Sequence, residues 1–563
     1  MSIWDTLSER LNRKVCVYVV CILLPFILSP LAVSSLPETR CSYVIILVAC
    51  YWLLEPISIF MTALLPVFLL PVLNIVGSAD VCLNYLKESH MMFIGGLIMA
   101  IAVEECRLHE RIALKTLLLI GTEIKWLMLG FMLTTMFLSM WVSNTATAAM
   151  MVPIVEAVLS KITNPVDQNI PLEERRSINI SDSSLTESKQ VDPLNEEETS
   201  GAEGNLQRSS TLKIALLLSI CYSANIGGTG TLTGTGPNLV FKGLLEELHP
   251  KSKEVTFASW MMYNIPGMVL CVLIGWFYLW MVYIKCSKSD NKVASKEVIQ
   301  EIISKRYTEL GSIQYHEAEV MVLFLILVIL WVFRDPKFIP GWSGLFYSGN
   351  LIGDSVPAIT VAFLLFFLPS NIRNLNSRPI LGWKTVQTKL PWGILLLSGG
   401  GFALADGAKK SGLSKYVGEQ LTSLQVLPSS AITAISCFMT AMITEVASNS
   451  TTATILLPVF SQMALAIHVN PLYIMLPVTV VCSYAFMLPV ATAPNAIAYQ
   501  SGNMNTIDMV KPGFVMNIVC CSIQMFMLNT LGVALFDLNT FPSWAVDGDV
   551  LSVKNETFNS TFS

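Results

Sequence analysis

The sequence is poor in charged residues. Asp, Glu, Lys and Arg make up 13% of its 563 residues, whereas soluble domains usually contain about 25%. Hydrophobic residues make up 53%, and several apolar runs exceed the roughly 20 residues that span a bilayer. The formal net charge is only −5, so the charge balance gives no reason to expect a nucleic-acid partner. The composition predicts an all-α, polytopic membrane protein.

The sequence also lacks the clusters that mark most enzymes and metal sites. No CxxC pair occurs among its 13 cysteines, which are mostly scattered inside apolar runs, as at Cys16, Cys50 and Cys437. Cysteines in such positions are typical of small buried side chains rather than of disulfides or metal ligands. The 5 histidines lie far apart in the sequence, and no nucleophile–base pair stands out. We therefore predict that the protein is not an enzyme.

One polar tripeptide occurs twice inside apolar stretches, as Ser143-Asn144-Thr145 and as Ser448-Asn449-Ser450. Each copy has a proline ten positions after its serine and a glycine cluster before it, and the shift between copies is 305 residues. A second pair of motifs, Thr-x-Pro-Asn, begins at Thr235 and Thr492, with a shift of 257 because the first half contains an extra polar loop. Duplicated, helix-breaking polar motifs are typical of secondary transporters, which bind their substrates near the membrane midplane.

Apolar length and basic residues predict the topology. We expect about eleven transmembrane helices plus two re-entrant helical hairpins that enter from opposite faces, so that the two halves are inverted repeats. Basic residues before the first span place the N-terminus in the cytoplasm, and eleven spans then place the C-terminus outside. Two sequons in the tail, at Asn555 and Asn559, agree with glycosylation on that side.

This topology divides the chain into eight segments. They are spans one to four with an inner amphipathic helix (1–125), the first hairpin (126–160), a disordered cytoplasmic loop (161–210), spans five and six (211–285), an inner loop with spans seven to nine (286–428), the second hairpin (429–467), spans ten and eleven (468–537), and an extracellular tail (538–563).

Local features of this topology can be tested in a structure. The long apolar run 42–76 is expected to break near Glu55-Pro56. Leu108–Ile120 is expected to be an amphipathic helix on the inner face, and the charged stretch 287–314 is expected to be an inner loop. Spans five and ten should be interrupted where Gly and Pro cluster, at 227–238 and 489–495.

The polar motifs favour the binding of cations together with an anion. Asparagine in an apolar hairpin costs free energy unless its carbonyl binds a cation or its amide donates to an anion. A helix that begins at a hairpin turn also directs its N–H groups and positive dipole end at an anion. No Lys or Arg occurs in 126–160, 214–241 or 416–510, which contain all four motifs. An anion bound there must therefore be neutralised by dipoles, amides and co-bound cations.

Two structural alternatives remain open from the residues alone. Ser, Thr, Asn, Gly and Pro also kink and hold together ordinary transmembrane helices, although two motif pairs in matched register favour a site. Glu445, four residues before Asn449, is either a proton site or a structural carboxylate that accepts hydrogen bonds, and we favour the structural role.

The motifs resemble those of the sodium-coupled di/tricarboxylate and sulfate symporters, the divalent anion–sodium symporter family. The resemblance extends over the full chain, and Gly236-Pro237-Asn238 is more similar to the carboxylate branch than to the sulfate branch. Two departures are Ser450, where relatives often carry Thr or an apolar residue, and Thr492-Ala493-Pro494 in place of Thr-Pro-Pro. Further matching segments are 226–229, 334–336, 399–405, 488–492 and 541–544.

The resemblance implies an elevator-type homodimer in the lipid of the plasma membrane, each protomer with a fixed scaffold and a moving transport domain. It implies two sites for co-transported sodium ions. One would use Ser139, Ser143, Asn144 and Gly236, and the other Thr444, Ala447, Asn449 and Ala491. The substrate carboxylates would contact Asn144, Thr145, Pro237, Asn449 and Ser450.

The function that follows is sodium-coupled import of di- or tricarboxylates, with succinate-like anions first and citrate as a further candidate. A sodium-coupled sulfate symporter is the alternative within the same fold. An anion channel or exchanger is the alternative of another class. A channel requires a continuous wet path, whereas the polar motifs here cluster in two pairs.

Overall fold

The computed structural model describes residues 18–545 except 121–122, 164–195, 286–295, 337–338, 349–350, 372, 375–376 and 422–426. Within these residues the secondary structure is helical, apart from one isolated β-bridge between Pro369 and Pro379. The predicted all-α class is confirmed. The sequons at Asn555 and Asn559 lie outside the described residues, as does most of the predicted cytoplasmic loop.

The helices before the first hairpin contain the predicted break. Glu55 adopts a left-handed backbone conformation (φ 47°) at the end of a helix, and Pro56 follows it with no N–H to continue the hydrogen-bond ladder. The helices are α1 Tyr18–Ile27, α2 Ser29–Ala32, α3 Pro37–Leu54, α4 Ile59–Thr62, α5 Leu65–Val72, α6 Ser78–Leu83, α7 Glu88–Glu105 and α8 Leu108–Ile120.

The first repeat contains a helical hairpin and an interrupted helix. The hairpin turns at residues 140–143, and the interruption comes after a short 3₁₀ turn at Gly228–Gly230. The helix before that turn begins at Glu196, inside the segment that the sequence predicts as a loop. The helices are α9 Ile124–Ser139, α10 Asn144–Thr163, α11 Glu196–Gly227, α12 Gly236–Leu248 and α13 Phe257–Leu279, which a π-helical turn extends to Lys285.

A helix also forms in the charged stretch predicted as an inner loop, which the sequence pattern did not indicate. Lys296–Glu309 is helical, and its Ile303 is almost fully buried. Packing of one apolar side chain against the protein stabilises a helix that its charged sequence does not reveal. The helices between the repeats are α14 Lys296–Glu309, α15 Tyr315–Val332, α16 Ser355–Phe367 and α17 Trp383–Lys389.

The second repeat begins with α18 and α19, which correspond to α7 and α8, and then has a hairpin and an interrupted helix like the first. The helices are α18 Trp392–Lys410, α19 Leu413–Leu421, α20 Ser429–Thr444, α21 Asn449–Ala466, α22 Pro471–Val481, α23 Ala493–Gly502, α24 Thr506–Met527 and α25 Val533–Phe536.

The duplication seen in the sequence is reproduced in the helix boundaries. The first hairpin helices, α9 and α20, begin and end 305 residues apart, and the second hairpin helices, α10 and α21, begin with the same shift. The helices after the interruptions, α12 and α23, begin 257 residues apart. The two sequence motifs therefore build the same local structure twice.

The apolar surface agrees with a membrane protein. By length and composition, five helices of the described part of the chain are able to cross a membrane. Many large apolar side chains on other helices are exposed as well, such as Phe26, Phe363 and Phe367. The predicted spans three and ten are each built from two short helices, α4 with α5 and α22 with α23, so neither of them contains a single helix long enough to cross a membrane.

The amphipathic helix α8 has the predicted bounds, but its Arg111 is buried rather than exposed on a surface. The Arg111 guanidinium donates from Nε to Glu317 Oε2 at 2.9 Å and from Nη1 to the Gly311 carbonyl at 3.0 Å. Both side chains are less than a tenth exposed. Arg111 thus fastens α8 to the start of α15.

We predict that Arg111→Ala lowers the thermal stability of the purified protein markedly. The substitution leaves the Glu317 carboxylate buried without its partner, which typically costs about 3–5 kcal/mol. Thermal melting followed by gel filtration measures the effect, and Lys115→Ala, an exposed position on the same helix, is the matched control. Equal melting temperatures for the two variants would show that the ion pair does not anchor α8.

Candidate functional site

The turn of the first hairpin brings two acceptor oxygens to one hydroxyl group, so that three oxygen atoms lie together. Ser139 Oγ, at the end of α9, lies 2.5 Å from Asn144 Oδ1 and 2.8 Å from the carbonyl oxygen of Ala224 in α11. Both are acceptors, and a hydroxyl carries one hydrogen, so it donates to only one of them at a time. A second acceptor therefore faces the hydroxyl oxygen without a proton between them.

The turn of the second hairpin repeats this arrangement. Thr444 Oγ1, at the end of α20, lies 2.9 Å from Asn449 Oδ1 and 2.6 Å from the carbonyl oxygen of Cys482. Ser139 and Thr444 are repeat equivalents, as are Asn144 and Asn449, and Cys482 lies within one residue of the position equivalent to Ala224. We call these two sets of oxygens the first and second oxygen triads.

Asparagines fix the interrupted segments beside the triads. Asn238 Nδ2 donates to the carbonyls of Gly228 at 3.1 Å and Thr231 at 2.7 Å. In the second repeat, Asn495 Nδ2 donates to the carbonyls of Ala485 and Leu488, at 2.9 and 3.0 Å. Each of these three residues in the second repeat lies 257 positions after its counterpart in the first, which is the shift between the two Thr-x-Pro-Asn motifs. The Thr-x-Pro-Asn motif therefore ends in an asparagine that satisfies carbonyls freed by the break in the helix.

A further asparagine, Asn225, joins the two repeats. Its Nδ2 lies 3.1 Å from the Ala485 carbonyl, 3.2 Å from Thr492 Oγ1 and 3.1 Å from Asn495 Oδ1. Asn225 belongs to α11 in the first repeat, and its partners belong to the interrupted segment of the second. Sequence analysis missed it, because one asparagine outside the duplicated motifs carries no signal of its own.

Close backbone approach explains two of the motif glycines. A Cβ at Gly236 would lie 2.0 Å from Ser450 Oγ, and a Cβ at Gly228 would lie 2.8 Å from Asn144 Oδ1. Gly236 begins α12 in the first repeat, whereas Ser450 lies in the first turn of α21 in the second hairpin. The contact brings motif residues of both repeats to one place.

The other predicted site residues lie around the same turns. Ser143 and Thr145 are exposed, Ala447 and Ala491 are half-buried, and Pro237 is buried at the start of α12. Ser143 Oγ accepts a hydrogen bond from the Ala146 N–H at 3.2 Å. The carbonyls of Ala224 and Cys482 were not predicted, and no sequence signal could have found them, since every residue has a carbonyl.

Glu445 is a structural carboxylate in this structure. It is 3% exposed, and its two oxygens accept hydrogen bonds from the N–H groups of Phe486, Met487 and Leu488 at 2.8–3.1 Å. Asn517 Nδ2 in α24 adds a further hydrogen bond at 2.8 Å. Glu445 thus holds three successive amides of the segment that follows α22, which agrees with the structural role favoured from the sequence.

A family profile described as the transmembrane region of sodium:sulfate symporters matches residues 8–538. The chain belongs to this symporter family. The resemblance stated from the motifs is therefore confirmed, and the protein is a multi-pass membrane transporter rather than an enzyme.

Two of three similar proteins are carboxylate cotransporters by name. The mouse Na(+)/citrate cotransporter is 40% identical over 95% of this chain and 98% of its own length. The rat Na(+)/dicarboxylate cotransporter 3 is 40% identical over 93% of both chains. Human solute carrier family 13 member 2 is 39% identical over 96% of both chains. These relatives place the chain beside the carboxylate branch.

A solved structure supports the fold. The chain resembles Neisseria gonorrhoeae MtrF, a member of a class of antimetabolite efflux pumps, with a TM-score of 0.50 and 14% identity. The similarity covers 91% of this chain and 97% of the other. At this identity the likeness concerns the transporter fold alone.

We predict that Glu445→Gln lowers both the melting temperature and the transport rate of this symporter. A glutamine offers one acceptor oxygen to four N–H donors and turns an NH₂ group toward some of them, and each hydrogen bond to a charged group contributes about 1.5–3 kcal/mol. The control is Glu156→Gln, a half-buried carboxylate of the first hairpin, 3.9 Å from Lys213. A variant with normal stability but a changed pH dependence of transport would instead identify Glu445 as a proton site.

Proposed function

We propose that this protein is a sodium-coupled symporter that imports di- or tricarboxylates, with succinate-like anions as its main substrates and citrate as a further candidate. The observation that carries the proposal is the pair of oxygen triads at the two hairpin turns. The names of the similar citrate and dicarboxylate cotransporters support it.

Each triad has the chemistry that a sodium ion requires. Ser139 Oγ, Asn144 Oδ1 and the Ala224 carbonyl are hard, neutral oxygen ligands, and the last two lie 2.5 and 2.8 Å from the hydroxyl oxygen. Hard cations prefer such oxygens. A sodium ion would satisfy all three oxygens at once, which a single hydroxyl proton does not. One sodium would bind there with Ser143 and Gly236, and a second at Thr444, Asn449 and Cys482 with Ala447 and Ala491.

The substrate would bind between the two sodium ions. Asn144 and Asn449 are half-buried and begin α10 and α21, whose first N–H groups and positive dipole ends stabilise an anion. Thr145 and Ser450 follow them, and Pro237 lies beside Gly236 at the start of α12. None of the hydrogen bonds described at the turns involves Lys or Arg, so the co-transported cations would supply the neutralising positive charge.

Inverted repeats and an elevator movement would give alternating access. In this proposal the chain is a homodimer in the lipid of the plasma membrane, with eleven spans, two re-entrant hairpins, a cytoplasmic N-terminus and an extracellular C-terminus glycosylated at Asn555 and Asn559. Symport of more than two sodium ions with each divalent anion would move net positive charge inward. Each such charge gains about 2.3 kcal/mol per 100 mV of membrane potential.

A sulfate symporter is the second candidate, because the family description names sulfate. Sulfate is a divalent tetrahedral anion and succinate is a divalent carboxylate. The same neutral donors would bind either of them. Sulfate uptake that excess succinate does not reduce would favour this candidate. An anion channel is distinguished by counterflow, since preloaded unlabelled substrate accelerates uptake only through a carrier.

We predict that radiolabelled succinate uptake into expressing cells is lost when choline replaces sodium in the medium. The substrate site contains no fixed positive charge in our proposal, so the anion binds only with its cations. Cells that carry the empty vector are the control. Uptake that persists in choline medium would disprove sodium coupling.

We also predict that Asn144→Ala and Asn449→Ala each reduce uptake at low substrate concentration by about 10- to 100-fold. Each substitution removes one sodium ligand and one substrate donor, and a hydrogen bond to a charged group contributes about 1.5–3 kcal/mol. Because the cations and the anion stabilise each other, the apparent sodium affinity should fall together with the uptake.

The matched control is Asn371→Ala, because Asn371 is exposed in the connection between α16 and α17. Surface biotinylation separates loss of transport from loss of expression. If either hairpin variant reaches the surface and transports with unchanged sodium dependence, that hairpin turn is not part of the site.

A further inference from the structure

A cavity lies behind the second helix of each hairpin, at the same position in both repeats. Each of these helices contains a proline, Pro153 in α10 and Pro458 in α21, which interrupts the helical hydrogen bonds. Four lining residues of one cavity are the exact register equivalents of four in the other. They are Ala149, Met150, Pro153 and Ile154 in the first repeat, and Thr454, Ile455, Pro458 and Val459 in the second.

The cavity behind the first hairpin is polar. It has a volume of about 410 Å³. Besides the hairpin, it is lined by four charged side chains, two from α14 and two from the residues around the start of α8. Arg306 Nη2 donates to the Pro153 carbonyl at 3.4 Å. The charged residues are Arg107, Glu110, Arg306 and Glu309.

The cavity behind the second hairpin is apolar, although the repeat relates it to the first. It has a volume of about 170 Å³, and none of the described residues that line it is charged. Its walls come from α3, α18, α19 and α21 and from the end of α12, including Ile45, Ala49 and Trp52 of α3. An apolar cavity of about 150 Å³ stays dry and takes a benzene-sized ligand, so a site of this size suits a short length of hydrocarbon.

The cavity also continues into the apolar outer surface. Val459, one of its lining residues, is 46% exposed, whereas Trp52 at its inner wall is 2% exposed. Helix α19 passes beside the cavity and exposes the ring of Tyr416 by 54%. In a transporter that resides in a membrane, the material that reaches such an opening is lipid.

We infer that the cavity behind Pro458 is a binding site for one acyl chain of a membrane phospholipid. The chain enters beside Val459 and lies between α3 and the second hairpin helix, in contact with Ala49 and Trp52. An acyl chain in that position resists displacement of α21 relative to α3, so lipid composition would regulate the proposed carrier. The inference about the lipid rests on the cavity alone, and only its effect on transport rests on the proposed function.

Photolabelling of purified full-length protein in nanodiscs tests the inference. The probe is a phosphatidylcholine with a diazirine on one acyl chain, and labelled peptides are mapped by mass spectrometry. We expect peptides that contain 455–462 and 45–52 to be labelled several-fold above the lipid-facing surface of α15, where Val322, Leu325 and Ile329 are exposed. Labelling no greater than that of α15 would overturn the proposal.

Two variants that fill the cavity sharpen the test. Ala49→Phe and Ala408→Leu should each reduce labelling of 455–462 several-fold, and gel filtration verifies that they fold. The matched control is Ala149→Phe, at the polar cavity of the other repeat, which should leave this labelling unchanged. Persistent labelling in a folded variant overturns the proposal. Labelling by a free apolar diazirine but not by the phospholipid also overturns it, because that result would identify a site for small apolar molecules.

This experiment contains no substrate and no sodium gradient, so its outcome does not depend on what the protein transports. Loss of the acyl-chain site would leave the proposed symport intact. Conversely, succinate uptake that persists in choline medium would disprove sodium coupling without affecting the labelling result.

Discussion

Each hairpin turn places three oxygen atoms around a single hydroxyl proton, and much of the protein serves to hold those oxygens in position. Buried polar atoms cost free energy when they lack a partner, so two acceptors that compete for the proton of Ser139, or of Thr444, favour the entry of a cation. In our proposal, a bound cation would satisfy all three oxygens and add the positive charge that these apolar segments lack. The affinity for an anion next to the turns would then depend on the cations, which would couple the two in transport.

The interrupted helices are held by groups that leave the turns free to bind. Asn238 and Asn495 satisfy carbonyls inside their own breaks, and Asn225 links α11 of the first repeat to the break in the second. Glu445 adds a carboxylate only in the second repeat, where it holds three successive amides. The repeats are thus alike at the triads but differ in the groups around them. They also differ behind the hairpins, where the cavity of the first repeat is polar and that of the second is apolar.

Much of this architecture could be predicted because it depends on side chains that interrupt apolar runs. The hairpin turns, the break at Glu55 and the bounds of α8 follow from Asn, Pro, Gly and hydrophobic periodicity. The carbonyls of Ala224 and Cys482 could not be predicted, since a backbone ligand leaves no mark on the sequence. Helix α14 was missed because its stability comes from tertiary contacts. The burial of Arg111 could not be predicted either, because its partner Glu317 is distant in the sequence.

The central claim is that both hairpin turns contribute to one site for sodium and a carboxylate. A cryo-electron microscopy map of the purified protein in sodium succinate tests it most directly. Our account predicts a sodium ion within each oxygen triad and one elongated density between Asn144 and Asn449, with both features absent from a map in choline chloride. Succinate density at another place, or unchanged density at the turns without sodium, would contradict the account.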